Sequence, residues 1–192
     1  MNKIVFATNN KNKLIEIRDL LPEGMKLLSL HDIKCFDHLT EEKDTLEGNA
    51  FQKAEYVYQK YGYNCFADDT GLEIDSLNGA PGVYSARYAG LDCSADNNID
   101  KVLKEMQNKD DRRAVFRTVI SLIIDGKPFY FQGQCTGIIT QNRRGSTGFG
   151  YDPIFQPKGY DMTFSQMSRD QKGKISHRGD AVRKLVNFFS TT

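Results

Sequence analysis

Residues 4–21, IVFATNNKNKLIEIRDLL, decide the fold. Ile4-Val5-Phe6-Ala7 is a short apolar run, too short for a helix, and reads as a buried strand. The polar loop Thr8-Asn9-Asn10 follows. Leu14, Ile17 and Leu21 then recur at the spacing of one helix face, and Pro22 and Gly24 end that helix. A strand feeding a polar loop into a helix presents N–H groups and a positive dipole end, where an anion is welcome. Lys11 and Lys13 add charge, and Asn9 and Asn10 add amide donors. The same residues also read as a solvated helix start with surface lysines, and the pattern G-x-x-x-x-G-K-S/T of a P-loop is absent.

Working outward, Asp44-x-x-Glu47 resembles a capping box and opens a second helix, with Leu46, Ala50, Ala54, Val57 and Tyr61 on one face and Gly62 beyond its end. Cys65-Phe66-Ala67 and Leu72-Glu73-Ile74 read as strand pieces flanking a bend at Asp68-Asp69-Thr70-Gly71. Ser94 caps a third helix with Ile99, Val102, Leu103 and Met106 inward. Strands over 114–124 and 129–139 meet at Asp125-Gly126, a hairpin signal. A glycine-rich loop runs over 145–150, and a last helix follows Ser176 with Val182, Leu185, Val186 and Phe189 inward. Helices interleaved with strands, plus one hairpin, imply an α/β fold with a mixed sheet. With no repeat, low-complexity stretch or linker, the expectation is one domain over 1–192, with room for two lobes.

Bulk composition narrows the function. A net charge of +1 gives no overall field that would recruit nucleic acid or an anionic membrane, so an anion must be caught by a local cluster. Cys35, Cys65, Cys93 and Cys135 form no C-x-x-C pair, which argues against a zinc site or redox dithiol. The opening MNKIVFATNN lacks a signal-peptide core, and no apolar run is long enough to span a bilayer. The expectation is a cytoplasmic protein with reduced thiols.

Four more segments carry candidate chemistry. Glu41, Glu42, Asp68 and Asp69 are an acidic set suited to Mg²⁺, which takes few carboxylates and keeps waters and substrate phosphates. Neighbouring strand residues face opposite ways, so one aspartate of the pair faces a metal while the other braces the loop. A polar turn capped by aspartates is the alternative. Asn49 and Lys53, four apart, share one helix face, from which a lysine reaches phosphates or merely solvent. In Gly148-Phe149-Gly150-Tyr151-Asp152-Pro153, flanking glycines leave Phe149 uncovered to stack on a base, and Asp152 is placed to accept hydrogen bonds; a turn anchored by an aromatic is the alternative. Lys172, His177 and Arg178 surround the start of the last helix, where cations oppose the dipole unless an electron-rich group justifies them.

Together the segments ATNNKNK, TLEGNAFQKA, FADDTGLEIDSLNGAPGVYSARYAG, TGFGYDPIF and KISHRGDA, spanning Ala7 to Ala181, resemble the inosine triphosphate pyrophosphatase family, enzymes that remove non-standard purine nucleotides. The resemblance implies an elongated mixed sheet with flanking helices, two lobes around a nucleotide-binding cleft, and a homodimer. It implies Mg²⁺-dependent cleavage of ITP, dITP or XTP to the monophosphate and pyrophosphate. By the same resemblance Thr8, Asn9, Asn10, Lys11, Asn12, Lys13 and Lys53 hold the triphosphate. Asp69 is the general base and, with Glu41, a metal contact, while Thr70 touches substrate. Phe149, Gly150, Tyr151 and Asp152 contact base and sugar, and Lys172, His177 and Arg178 read the purine edge. Three rivals remain at this stage: a nucleotide-binding sensor that does not hydrolyse, a nucleic-acid module using Arg112-Arg113 and Arg143-Arg144, and a pyrophosphatase for pyrimidine or modified nucleotides.

Overall fold

The computed structural model describes residues 3–191. Among the described residues five α-helices and seven strands follow in the order β1 (Lys3–Phe6), α1 (Lys11–Arg18), β2 (Lys26–Leu28), α2 (Leu46–Tyr61), β3 (Cys65–Ile74), β4 (Pro81–Gly82), α3 (Ala95–Glu105), β5 (Arg113–Ile124), β6 (Lys127–Ile139), β7 (Phe155–Pro157), α4 (Arg169–Ile175) and α5 (His177–Thr191). The strands form a mixed sheet in the order β2-β1-β3-β5-β6-β7, with β4 paired to β3. β1 runs parallel to β2 and β3, while β4 on β3 and β7 on β6 are antiparallel. The α/β expectation with a mixed sheet holds.

The chain divides into two compact units. The first comprises 1–69, 118–133 and 178–192, the second 70–117 and 134–177. In the first, β3 sorts its residues by parity. Cys65 and Ala67 join a cluster with Ala54 and Val57 of α2, while Phe66 joins Ile17 of α1 and Ala181, Val182 and Leu185 of α5. Phe6 and Phe66, opposite each other in the β1–β3 register, stack at 4.7 Å. The second unit has its own core, in which Leu72, Ile74, Val102, Phe116, Ile139, Phe155 and Phe164 meet.

Local details depart from the sequence reading. α1 stops at Arg18, because the chain must leave the helical region before Pro22, and Leu20 and Leu21 complete the apolar face from a turn. Thr45, one residue after Asp44, caps α2 by accepting from the Gly48 amide. No bend divides the Asp-Asp segment: β3 is continuous over ten residues. The hairpin at Asp125-Gly126 has both residues at positive φ, 48° and 78°, as a two-residue turn with the strands' twist requires. α4 is a helix that apolar periodicity misses, since Ile175 is its sole large apolar residue; the Ser168–Gln171 capping box was the available signal. All four cysteines are free.

Candidate functional site

In the first unit, parity places the two adjacent aspartates on opposite faces of β3. Asp68 follows Phe66 toward α1 and α5; Asp69 follows Ala67 toward α2. Asp68 accordingly accepts from Lys13 Nζ at 3.0 Å and from Arg178 Nε at 3.3 Å. Arg178, 2% exposed, also donates to Glu16. Burial pushes the Asp68 carboxyl up, but Lys13, Arg178 and Lys53 together overcome it and hold the group well below the usual carboxylate range.

Asp69 has the opposite balance. Its Oδ2 accepts from Asn49 Nδ2 at 3.0 Å, and its Oδ1 lies 3.9 Å from Lys53 Nζ. The Lys53 ammonium is engaged elsewhere, on the Glu41 carboxylate and, at 2.7 Å, on the Asp68 carbonyl. Burial, reinforced by the negative charge of Glu41, therefore raises the Asp69 carboxyl despite Lys53 and Lys13. For Lys53 burial works downward, but Asp69, Glu41 and Asp68 raise it above its ordinary value; burial lowers Lys13.

The loop before α1 is built differently from the sequence reading. Asn10 is the N-cap of α1, its Oδ1 accepting from the amides of Asn12 and Lys13, so two of the N–H groups expected to face an anion are already bonded. Thr8 Oγ1 accepts from the Asn10 amide. Asn9 donates to the Asp37 carbonyl and accepts from the Leu39 amide, bracing that segment. Lys11 and Asn12 lie exposed on the first turn. Thr70 continues β3, half-buried.

The second unit holds a second ion pair. Lys172 Nζ contacts Asp152 Oδ2 at 2.6 Å and lies over the rings of Phe149 (5.0 Å) and Phe164 (5.5 Å). The Phe149 amide donates to the same carboxylate oxygen at 2.9 Å. Gly148 is obligatory here: at φ +80° its missing Cβ would stand 2.2 Å from Asp152 Oδ2. One face of Phe149 thus carries an ammonium, whereas the sequence reading left the ring uncovered. Gly150 turns the chain at φ 60°. Tyr151 is not open to a ligand: it is buried, and its hydroxyl donates to the Ser85 carbonyl at 2.8 Å. His177 is packed as a core aromatic, stacked on Phe116 at 4.4 Å. Arg178, grouped with Lys172 and His177 by the sequence reading, is instead held in the first unit by Asp68 and Glu16, since a buried guanidinium needs carboxylates.

The structure thus gathers Lys13, Lys53, Glu41, Asp68, Asp69 and Arg178 in one unit and Phe149, Asp152 and Lys172 in the other. The chain matches the Ham1 family over residues 4–188. It belongs to that family. The dITP/XTP pyrophosphatase of Flavobacterium johnsoniae is 54% identical over 190 residues, 99% of each chain. Among solved structures, the Ham1 protein of Staphylococcus aureus is 39% identical with a TM-score of 0.88 over 98% of each chain. The HAM1 protein of Coxiella burnetii is 35% identical with a TM-score of 0.91 over the whole of both chains. The family agrees with the resemblance read from the five sequence segments.

Sequence reasoning missed Glu16, a glutamate in an otherwise ordinary amphipathic helix, and the bridging role of Asn49. It also missed the reciprocal hydrogen bonds between Thr147 and Ser165 that staple the glycine-rich loop. Among the described residues no helix is long and apolar enough to cross a membrane, and none of their His, Cys, Asp and Glu side chains gather in threes as a closed metal cage. Two carboxylates, Glu41 and Asp69, nevertheless share Lys53. That donor set suits Mg²⁺, which is held by one or two carboxylates with waters and phosphates, and the raised Asp69 carboxyl is a group that a cation would relieve.

Proposed function

We propose that this chain is a Mg²⁺-dependent pyrophosphohydrolase that cleaves ITP, dITP and XTP to the monophosphate and pyrophosphate; its relatives from two Flavobacterium species are dITP/XTP pyrophosphatases. The observation that carries this reading is the division of labour on β3, where Asp68 anchors cations and Asp69, its carboxyl raised, is left facing Lys53 and Glu41. In the reaction a water oxygen bonds to the α-phosphorus, the α–β bridging bond breaks, and pyrophosphate leaves. Asp69 orients that water and accepts its proton; a carboxylate that also holds a metal is a weak base, so positioning and charge stabilisation carry most of the rate. Lys13 and Lys53 donate to phosphate oxygens and offset the charge that develops toward pyrophosphate. Mg²⁺, when bound by Glu41 and Asp69, supplies further neutralisation of the phosphates. Thr8, Lys11 and Asn12 line the phosphate side, and Thr70 follows Asp69 toward substrate.

On the base side, Phe149 offers the ring face opposite the one that Lys172 covers, Gly150 lets the backbone approach, and the Lys172 ammonium supplies a donor. Hypoxanthine and xanthine carry an acceptor oxygen at C6 where adenine carries a donor amine. Lys172 favours the oxygen; an amine facing it leaves donors unpaired, at about 1–3 kcal/mol per group. His177, Tyr151 and Arg178 serve as supports of their own units. From the resemblance we also read the enzyme as a homodimer, and its net charge of +1 gives no field that would recruit a nucleic-acid partner.

Chromatographic product analysis with ITP, dITP, XTP, GTP and ATP, each with Mg²⁺ and with EDTA, tests the proposal. The expected outcome is metal-dependent IMP, dIMP or XMP plus pyrophosphate, with GTP and ATP nearly untouched. Asp69→Asn should lower kcat by roughly a hundredfold or more. Orthophosphate with a diphosphate would mean that a different bond is cut, and an Asp69→Asn enzyme of parental turnover would remove Asp69 from the chemistry.

A further inference from the structure

Asn49 is fully buried on α2, where a polar side chain needs hydrogen-bond partners. Its amide is bonded at both ends. Oδ1 accepts from the Lys43 backbone amide at 2.8 Å, and Nδ2 donates to Asp69 Oδ2 at 3.0 Å. The orientation is fixed by chemistry, because a backbone N–H can only donate and so demands the amide oxygen, leaving the nitrogen for the carboxylate. Two residues before Lys43 stands Glu41, the other carboxylate against Lys53. Gln52, one turn on along α2, reinforces the arrangement by accepting from the Glu42 amide at 3.1 Å and donating to Thr40 Oγ1 at 3.1 Å. Asn49, Gln52 and Lys53 therefore grip residues 40–43 from one helix face, and Asn49 ties that segment's backbone to the Asp69 carboxylate by a hydrogen bond at each end of its amide.

We propose that Asn49 is a positioning residue for the two-carboxylate site, a single buried amide that sets the backbone carrying Glu41 in register with the carboxylate of Asp69. This inference rests on the hydrolase reading above. Its reason is geometric. Aspartate in its place offers no donor to Asp69, alanine offers neither arm, and glutamine carries both groups one methylene farther out. Asn49 acts through the groups it orients rather than on phosphate or water, as partners of metal-ligating carboxylates do.

Asn49→Ala keeps a good helix former in α2 and removes both arms. Its kcat should fall, or its half-saturating Mg²⁺ concentration rise, by roughly ten- to a hundredfold, while nucleotide affinity measured in EDTA stays at the parental value. Amide exchange read by NMR should accelerate at Lys43 and stay slow through α2 and β3. A merely structural Asn49 predicts something else: weaker nucleotide binding in EDTA and faster exchange across the whole unit, and that result overturns the proposal. So does parental kcat and Mg²⁺ dependence. Should Asn49→Ala fail to fold, Asn49→Asp keeps the acceptor for Lys43 alone; a slow Lys43 amide with reduced kcat supports the role, and parental kcat refutes it. If the parent enzyme itself releases no pyrophosphate, the hydrolase reading fails. An active parent matched by Asn49→Ala refutes the positioning role alone.

Discussion

Asp68 in the first unit and Asp152 in the second are both buried carboxylates under a lysine ammonium, but they are compensated in different ways. Asp68 answers to two full cations, Lys13 and Arg178, while Lys53 sits on its carbonyl. Asp152 pairs with Lys172, whose ammonium also lies over the rings of Phe149 and Phe164, and accepts from the Phe149 amide. The first arrangement is a net of charges in which removing one member strands the others. The second relies on an aromatic quadrupole and a peptide dipole, which persist when the carboxylate is neutralised. On the proposed reading, a charge net suits the residues that would present cations to phosphate, and a softer pair those that would present a flat ring and a donor to the base.

The largest break in this comparison comes from Asp68→Asn. It keeps the shape but takes the carboxylate from Lys13 and leaves the buried Arg178 with Glu16 alone, so it should cost about 3–5 kcal/mol, read as a lower denaturation midpoint with unchanged m-value. The pH dependence carries a sign. The folded-state carboxyl of Asp68 is depressed below its unfolded value of about 3.9. Its stabilisation is therefore complete above that value and is lost as pH falls through and below it. The gap between parent and Asp68→Asn should shrink steadily in acid below about pH 4. A gap that stayed constant would mean that Asp68 is not ionised in the fold.

Asp152→Asn is the matched, smaller break. Asparagine still accepts from the Phe149 amide, and Lys172 keeps its two rings, so about 1–3 kcal/mol is expected. A midpoint shift equal to that of Asp68→Asn would show that the aromatic faces contribute nothing to holding Lys172.

How far the sequence disclosed all this follows the same contrast. Elements with strong periodicity were legible in kind: β1, α2 with Gly62 at its end, α3 behind Ser94 and the Asp125-Gly126 hairpin stand as read, while α1 ends a turn earlier and α2 is capped by Thr45 rather than Asp44. The opposed roles of Asp68 and Asp69 were legible too, because parity on a strand is a local rule. What stayed hidden depends on long-range partners. Arg178 reads as a cation poised for a ligand until Glu16, far away in sequence, is found beside it. Asn10 reads as a donor until its cap geometry shows it accepting. α4 has a capping box but no apolar stripe, and so gave a period-based reading nothing to count.

The smallest effect sharpens the softer half of the comparison. Tyr151→Phe keeps the ring in the second unit's core and removes one hydroxyl, leaving the Ser85 carbonyl without that donor. A single neutral hydrogen bond of this kind is worth about 1 kcal/mol, a fall of roughly 2–4 °C in Tm for a chain of this size. Ser85 is itself tied down, its hydroxyl donating to the Gly82 carbonyl and accepting from the Leu72 amide, so the loss should stay local. If Tyr151 is a strut, KM for ITP in the variant stays at the parental value while Tm falls. If KM rises with Tm unchanged, the hydroxyl reaches the nucleotide after all, and the base side of the site must be drawn with Tyr151 in it rather than behind it.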